Sequence, residues 1–319
     1  MATAEEVKEQ LQRVTDAVGS VFFGKEEEIR EILLGLVANG HVLLEDLPGT
    51  GKTTLAVAFS KVLSLDYRRV QFTPDLLPSD LTGFSVYDPE RKEFVYREGA
   101  VFTNLLLADE INRTSPKTQA ALLEVMEERQ VTVEGTTRPL SAPFLVIGTQ
   151  NPAGAVGTEL LPEAEIDRFM ISMSIGYPDE AAEVRMAEAV GAESPLKSLN
   201  SVLSQEDFLQ VQEAAAGVTI SDQVMAYLVR LVRTVRESEN VEAGAGPRAT
   251  ISLVRMARAS ALADGRTFVI PEDVRDQAPY VLRHRVRLSK AARARDLSIE
   301  DVLQEIVDSV KTPAPGARK

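Results

Sequence analysis

The stretch Asp46-Leu-Pro-Gly-Thr-Gly-Lys-Thr-Thr54 constrains this chain most, because it lies between the apolar run His41-Val-Leu-Leu-Glu45 and the helix-like Leu55-Ala-Val-Ala-Phe-Ser-Lys61. Strand, glycine loop and helix start follow one another within about twenty residues. Gly49 and Gly51 let backbone N–H groups approach one anion closely, and the helix N-terminus adds a positive dipole end. Lys52 can then reach a β- or γ-phosphate, while the Thr53 hydroxyl can bind a magnesium ion. The alternative is an ordinary strand–turn–helix connection in which Gly and Pro only make the turn. A phosphate loop wants Gly at its first position, and this chain has Asp46 there. The strand before and the helix after favour the phosphate loop, since context confirms such motifs.

The 319 residues are 44% hydrophobic and 26% charged, an ordinary globular composition that suggests about two domains. With no cysteine, disulfides, thiolate metal sites and a cysteine nucleophile are excluded. The polar, acidic start Met1-Ala-Thr-Ala-Glu-Glu-Val-Lys-Glu-Gln10 is unlike a secretory signal. No apolar run approaches the roughly 18 residues that a membrane helix needs. A soluble cytoplasmic protein without membrane insertion is therefore the expectation. Net charge is −13, and −11 of it falls in the first 177 residues. Such a front half repels nucleic acid over most of its surface, which argues against a general DNA or RNA binder.

Apolar periodicity predicts helices over Glu5–Val18 and Glu26–Ala38, interrupted at Val21-Phe-Phe-Gly24. After the loop helix come a second strand at Tyr67–Phe72, a third at Asn104–Ala108, a fourth at Phe144–Thr149 and a fifth at Phe169–Ile175. A helix is expected over Pro116–Arg129, and hairpins at Ser85–Tyr96 and Gln130–Leu140. Short apolar strands interleaved with helices indicate a five-stranded parallel sheet covered on both faces. Beyond Gly176-Tyr-Pro-Asp179 only helices are readable, at about 179–190, 205–216, 221–238, 248–264, 271–287 and 299–310. The expected division is an α/β domain over 1–177, a helical domain over 178–311 and a disordered tail over 312–319.

Asp109-Glu110 closes an apolar strand, at the edge where open α/β sheets place their ligands. Asp109 suits an acid near Mg²⁺, and Glu110 a group that deprotonates water; two acids capping the next helix are the alternative. Asn151, in Thr149-Gln-Asn-Pro152, could hold the lytic water or read a γ-phosphate, or could simply turn the chain before Pro152. Arg168 precedes the fifth strand as either a surface charge or a group that stabilises a transferring phosphoryl. Gly244-Ala-Gly-Pro-Arg248 could swing Arg248 onto a nucleotide, or be only a loop. Arg283, Arg285, Arg287, Lys290, Arg293 and Arg295 read first as a solvated helix face, and second as a contact with the acidic front half of another subunit or partner.

Together these segments resemble the AAA+ ATPases, and more closely their MoxR family within the helix-2-insert group. The likeness runs from about Val21 to Leu288. It is most specific at Leu106-Leu-Ala-Asp-Glu-Ile-Asn-Arg113, Gln119-Ala-Ala-Leu-Leu-Glu-Val-Met-Glu-Glu-Arg-Gln-Val-Thr-Val133, Gly148-Thr-Gln-Asn-Pro152 and Leu161-Pro-Glu-Ala-Glu-Ile-Asp-Arg-Phe169. Gln71-Phe-Thr-Pro-Asp-Leu-Leu-Pro-Ser-Asp80, Gly246-Pro-Arg-Ala249 and Leu282-Arg-His-Arg285 add to it. The resemblance implies an α/β AAA+ P-loop NTPase domain followed by an all-α lid. It implies a Walker A loop of Pro48, Gly49, Thr50, Gly51, Lys52, Thr53 and Thr54, with Thr53 and Asp109 on the metal. Glu110 completes Walker B, Asn151 is sensor 1, Arg168 the arginine finger and Arg248 sensor 2, while Val21 and Gly24 sit where the family contacts adenine. Residues 73–98 and 130–139 match insertions that face a ring pore or substrate. Two positions depart from the family's usual pattern: Asp46 for Gly, and Gly148 before Thr149 where Ala is more frequent.

The expected activity is ATP hydrolysis with Mg²⁺, the nucleotide lying between α/β domain and lid and a neighbour's Arg168 completing the site. A hexameric ring would transmit changes of lid angle to protein complexes needing maturation, with a von Willebrand factor A domain protein as partner. A nucleic-acid motor or loader is the rival within the class, and a nucleotide-gated scaffold with little turnover is the rival outside it.

Overall fold

The computed structural model describes residues 2–46, 49–151, 161–188 and 195–313. Helices α1 (Ala4–Gly19) and α2 (Glu26–Val37) lead into β1 (Val42–Glu45). Thr3 starts α1 with a capping box: its side chain accepts from the Glu6 N–H while the Glu6 carboxylate accepts from the Thr3 N–H, which satisfies two orphan donors. Then follow α3 (Lys52–Val62), β2 (Tyr67–Gln71), α4 (Pro78–Thr82), β3 (Gly83–Asp88), β4 (Glu93–Glu98), β5 (Leu105–Asp109) and α5 (Pro116–Glu128). β6 (Gln130–Val133), β7 (Thr136–Pro139), β8 (Leu145–Gln150), α6 (Glu163–Ile166) and β9 (Ile171–Met173) complete this part.

Five strands form one sheet in the order β2-β5-β8-β1-β9, and every pairing in it is parallel. β1 sits between β8 and β9, so the loop after it opens where strand order reverses and neighbouring connections leave toward opposite sides. β3–β4 and β6–β7 are separate antiparallel hairpins, as the alternating segments predicted. The short helix α4 is not among the elements expected from periodicity.

Because side chains alternate across a strand, each face of the sheet builds its own core. Val42, Leu44, Leu105, Leu107, Leu145 and Ile147 pack on one side with α1, α2 and α3. Leu43, Leu106, Ala108 and Val146 face the other side, against Phe72, Phe144, Phe169 and the apolar face of α5.

The chain continues as α7 (Glu180–Glu188), α8 (Pro195–Ser198), α9 (Gln205–Ala216), α10 (Asp222–Glu237), β10 (Val241–Ala243), α11 (Pro247–Ala263), α12 (Pro271–Leu282), β11 (Arg287–Leu288), α13 (Lys290–Ala294) and α14 (Ile299–Ser309). Helices dominate, with one short antiparallel pair, β10–β11, among them. The helix expected over 271–287 ends at Leu282, followed by a 3-10 turn, Arg283–Arg285. α11 lies against α1, α2 and α9, so the first of the two cores runs without a break from the sheet into α14. Arg285 ties the same regions together. Its guanidinium, 2% exposed, pairs with Asp167 at 2.6 Å and donates to the carbonyls of Asp167, Phe169 and Met170. The basic stretch is therefore not uniformly solvated. Arg287 and Arg293 are half-exposed on Glu242, whereas Arg285 is an internal clamp that donates to the carbonyls after α6, of which Phe169 also has His284 Nε2 at 3.1 Å.

Among the described residues no helix is long and apolar enough to cross a membrane.

Candidate active site

The phosphate-loop side of the site rests on two glycines in left-handed backbone, Gly49 at φ 92° and Gly51 at φ 84°. A Cβ at Gly51 would also meet the Phe22 ring at 2.7 Å, whereas the corresponding side of Gly49 is open. α3 begins directly after Gly51, so its first N–H groups point toward the loop. Thr53 and Thr54 stand in that first turn. Pro48 lies outside the described residues. The Lys52 ammonium is buried and donates to the Asp46 carbonyl at 2.8 Å. Burial draws its pKa down, and the charges of Asp46, Asp109 and Glu110 work against that fall. A buried cation at the start of the loop helix is placed to meet incoming negative charge.

Gly49, Thr50, Gly51 and Thr54 form one wall of the cleft. Val21, Phe22 and Phe23 form another, and Ile175, Gly176, Pro178 and Met186 a third. Gly24, at φ 70°, lets this segment press on α7, where a Cβ would come 2.9 Å from that of Ala182. A small apolar slot beside a glycine-lined polar loop suits a flat ring joined to phosphates.

Asp109 and Glu110 stand at the end of β5 beside that loop. The Asp109 carboxylate accepts from Thr149 Oγ1 at 2.7 Å and from Arg69 at 2.7 Å. Glu110 sits at φ 56° and ψ 49°, a backbone cost of roughly 1–3 kcal/mol for a non-glycine residue that its neighbours must over-determine. They do so completely. Its N–H donates to Thr149 Oγ1 at 2.8 Å, and its carboxylate accepts from Gln71 at 2.7 Å, Arg113 at 2.8 Å and Asn151 at 3.3 Å. Asn112, 2% exposed, holds both the N–H and the carbonyl of Asn151 at 3.3 Å. Lys52, Asp109, Glu110 and Asn151 thus share one edge of the sheet.

Arg168 and Arg248 are gathered elsewhere. Arg168 donates to the Leu123 carbonyl at 2.9 Å and pairs with Glu127 at 3.0 Å. Arg248 grips both oxygens of the same Glu127, at 2.6 and 2.8 Å, and reaches Asp167 at 3.5 Å. Among the described residues neither lines the P-loop cleft, and of the described helices after Pro178 only α7 does. Packing of α11 on α1 and α2 seats the later helices on the side of the sheet that carries α1, α2 and α3.

Among the described residues no group of three or more His, Cys, Asp or Glu side chains could hold a metal alone. Magnesium arriving with phosphates needs only one or two protein oxygens, and the Thr53 hydroxyl and Asp109 are of the right chemistry.

Residue-by-residue reading of the sequence passed over Arg69, Gln71, Arg113, Asn112, Glu127 and Asp167. Arg69 and Gln71 carried a signal: two residues apart on a strand, they share one face, and Gln71 pairs in register with Asp109. Nothing local marked Glu127 or Asp167, whose partners lie far away in the chain.

Residues 41–171 match the model of the ATPase family associated with various cellular activities (AAA), and residues 233–306 match an AAA lid domain. The chain is 42% identical to YeaC of Bacillus subtilis, over 98% of each chain. It is 40% identical to the chaperone MoxR1 of Mycobacterium tuberculosis, over 96% of this chain and 83% of that one. A crystal structure of a "putative ATPase" from Cytophaga hutchinsonii superposes with a TM-score of 0.89 at 37% identity, covering 98% and 97% of the two chains.

Proposed function

Because this chain belongs to the MoxR family of AAA+ ATPases, we propose that it hydrolyses Mg-ATP and spends the energy on remodelling or maturing protein complexes. The observation that carries this reading is the convergence of Lys52, Asp109, Glu110 and Asn151 beside a glycine loop. In it, loop N–H groups and Lys52 bind the β- and γ-phosphates. Val21 and Gly24 with α7 hold the base. Glu110 accepts a proton from the attacking water, and Asn151, already bonded to that carboxylate, orients the same water. When bound, magnesium would lie against Thr53 and Asp109 and neutralise developing phosphate charge.

Arg168 and Arg248 lie outside their own subunit's cleft, which supports their acting on a neighbour's nucleotide in a ring, hexameric by family resemblance. The clients are protein complexes, with a von Willebrand factor A domain protein as the favoured partner. The division into an α/β part up to residue 177 and a lid up to 311 belongs to the same proposal, as does action in the cytoplasm.

Turnover of the purified protein is the first test. Wild type should hydrolyse ATP well above a Lys52→Ala control, and equal rates would leave only a nucleotide-gated scaffold. A Glu110→Gln trap, loaded with ATP and analysed by mass spectrometry, should retain client proteins; recovery of nucleic acid instead would sink the chaperone reading.

A further inference from the structure

Asp46 occupies the position where phosphate loops ordinarily have glycine, and it is 4% exposed. A buried carboxylate is costly unless its lone pairs are used. Here they are used by one short segment. Oδ1 accepts from Ser174 Oγ at 2.6 Å and from the Gly176 N–H at 3.0 Å, while Oδ2 accepts from the Ile175 N–H at 2.7 Å. These three residues follow β9 directly, and Ile175 and Gly176 form the cleft wall away from the phosphate loop. Gly176 adopts φ 67°, so the wall turns sharply at the residue that Asp46 holds. The main chain of Asp46 faces the other way and receives the Lys52 ammonium. One residue therefore serves two halves of the cleft with two different parts of itself. Its carbonyl serves the phosphate half and survives any substitution, whereas the hydrogen bonds of its carboxylate go to the Ser174–Gly176 wall and only its charge is felt at Lys52.

We propose that Asp46 is a positioning residue for the nucleoside half of the ligand. Its carboxylate fixes the Ser174–Gly176 wall against the phosphate loop, so that a purine ring and a polyphosphate chain fit the cleft together. This rests on the reading of the cleft as a nucleotide site. A glycine at position 46 would leave the Ile175 and Gly176 N–H groups and the Ser174 hydroxyl without this acceptor, and the wall free to shift. Charge-assisted hydrogen bonds to backbone are among the stronger ones, so their loss should be visible in binding.

The division of labour makes the test specific. ADP carries both halves of the ligand, and inorganic tripolyphosphate carries only one. Binding of each to the full-length protein is measured by calorimetry, with competition against a fluorescent ADP for the weaker ligand. Asp46→Asn and Asp46→Gly should weaken ADP by about tenfold or more while leaving tripolyphosphate within about twofold of wild type. Ser174→Ala removes one donor of the three and should move ADP in the same direction by a smaller factor, which decides the matter if the Asp46 variants do not fold. A general loss of structure would lower both ligands together, and that result, or unchanged ADP affinity, overturns the proposal. Failure of the wild type itself to bind ADP would instead overturn the nucleotide reading on which it stands.

Discussion

Glu110 shows how much of this site is held by single residues. Its left-handed backbone would relax if Thr149, Gln71, Arg113 and Asn151 did not bind every polar group it offers. Glu110→Gln keeps the shape but cannot take a proton, so turnover should fall by about 10²- to 10⁴-fold while ATP affinity persists; steady-state kinetics beside equilibrium binding check it. A second carboxyl, Glu31 in α2, does no chemistry but titrates unusually. Burial raises it to about 7 from 4.5, with Gln277 and Arg30 pulling only partly back. The fold favours its neutral form. That contribution is whole below the unfolded value and drains away as pH climbs toward 7, by at most about 3 kcal/mol. Glu31→Gln should therefore melt above wild type at pH 8, with the gap closing by pH 4.5, in thermal scans across that range. What the sequence disclosed at this scale were residues whose role is fixed by near neighbours in the chain, such as Lys52 in its loop. Asp46 looked like a tolerated departure there, because Ser174–Gly176, which give it a purpose, lie more than a hundred residues away.

Elements were legible in proportion to their length and the strength of their period. The five sheet strands and the long helices announced themselves through apolar runs and 3.6-residue stripes. α4, α13 and the β10–β11 pair did not, since two to five residues carry too little pattern and owe their form to tertiary contacts. The 3-10 turn Arg283–Arg285 was absorbed into a longer helix for the same reason. That turn places Arg285 inside the protein, where it joins the segment after α6 to the end of α12. Arg285→Ala should destabilise the fold by about 1–3 kcal/mol, because the Asp167 and Met170 carbonyls would lose their buried donor while Asp167 keeps Arg248 and Phe169 keeps His284. Denaturant midpoints at constant m-value measure it. Arg287→Ala, on the half-exposed neighbour, should shift the midpoint by less than about 1 kcal/mol.

For the whole molecule, the general architecture followed from the order of strands and helices, but the seating of the later helices did not. The resemblance implied Arg248 as sensor 2, able to swing onto a nucleotide; here it sits with Arg168 on Glu127. Period and motif specify what each helix buries, not which of two apolar sheet faces receives it. If both arginines work on a neighbour, Lys52→Ala and Arg168→Ala proteins should each be nearly inactive alone and regain measurable turnover when mixed. Some junctions would then pair an intact loop with an intact arginine. No recovery, in a mixture shown by light scattering to co-assemble, would count against the shared site.

The unbroken core from the sheet to α14 bears on where such an assembly can bend. Rocking the later helices on their own sheet would open apolar surface along α1, α2 and α11 at roughly 25 cal/mol for every Å² exposed, and would pull Arg285 from its carbonyls. In the ring proposed above, each chain would then behave as one stiff stave, and the give in the barrel would lie in the seams.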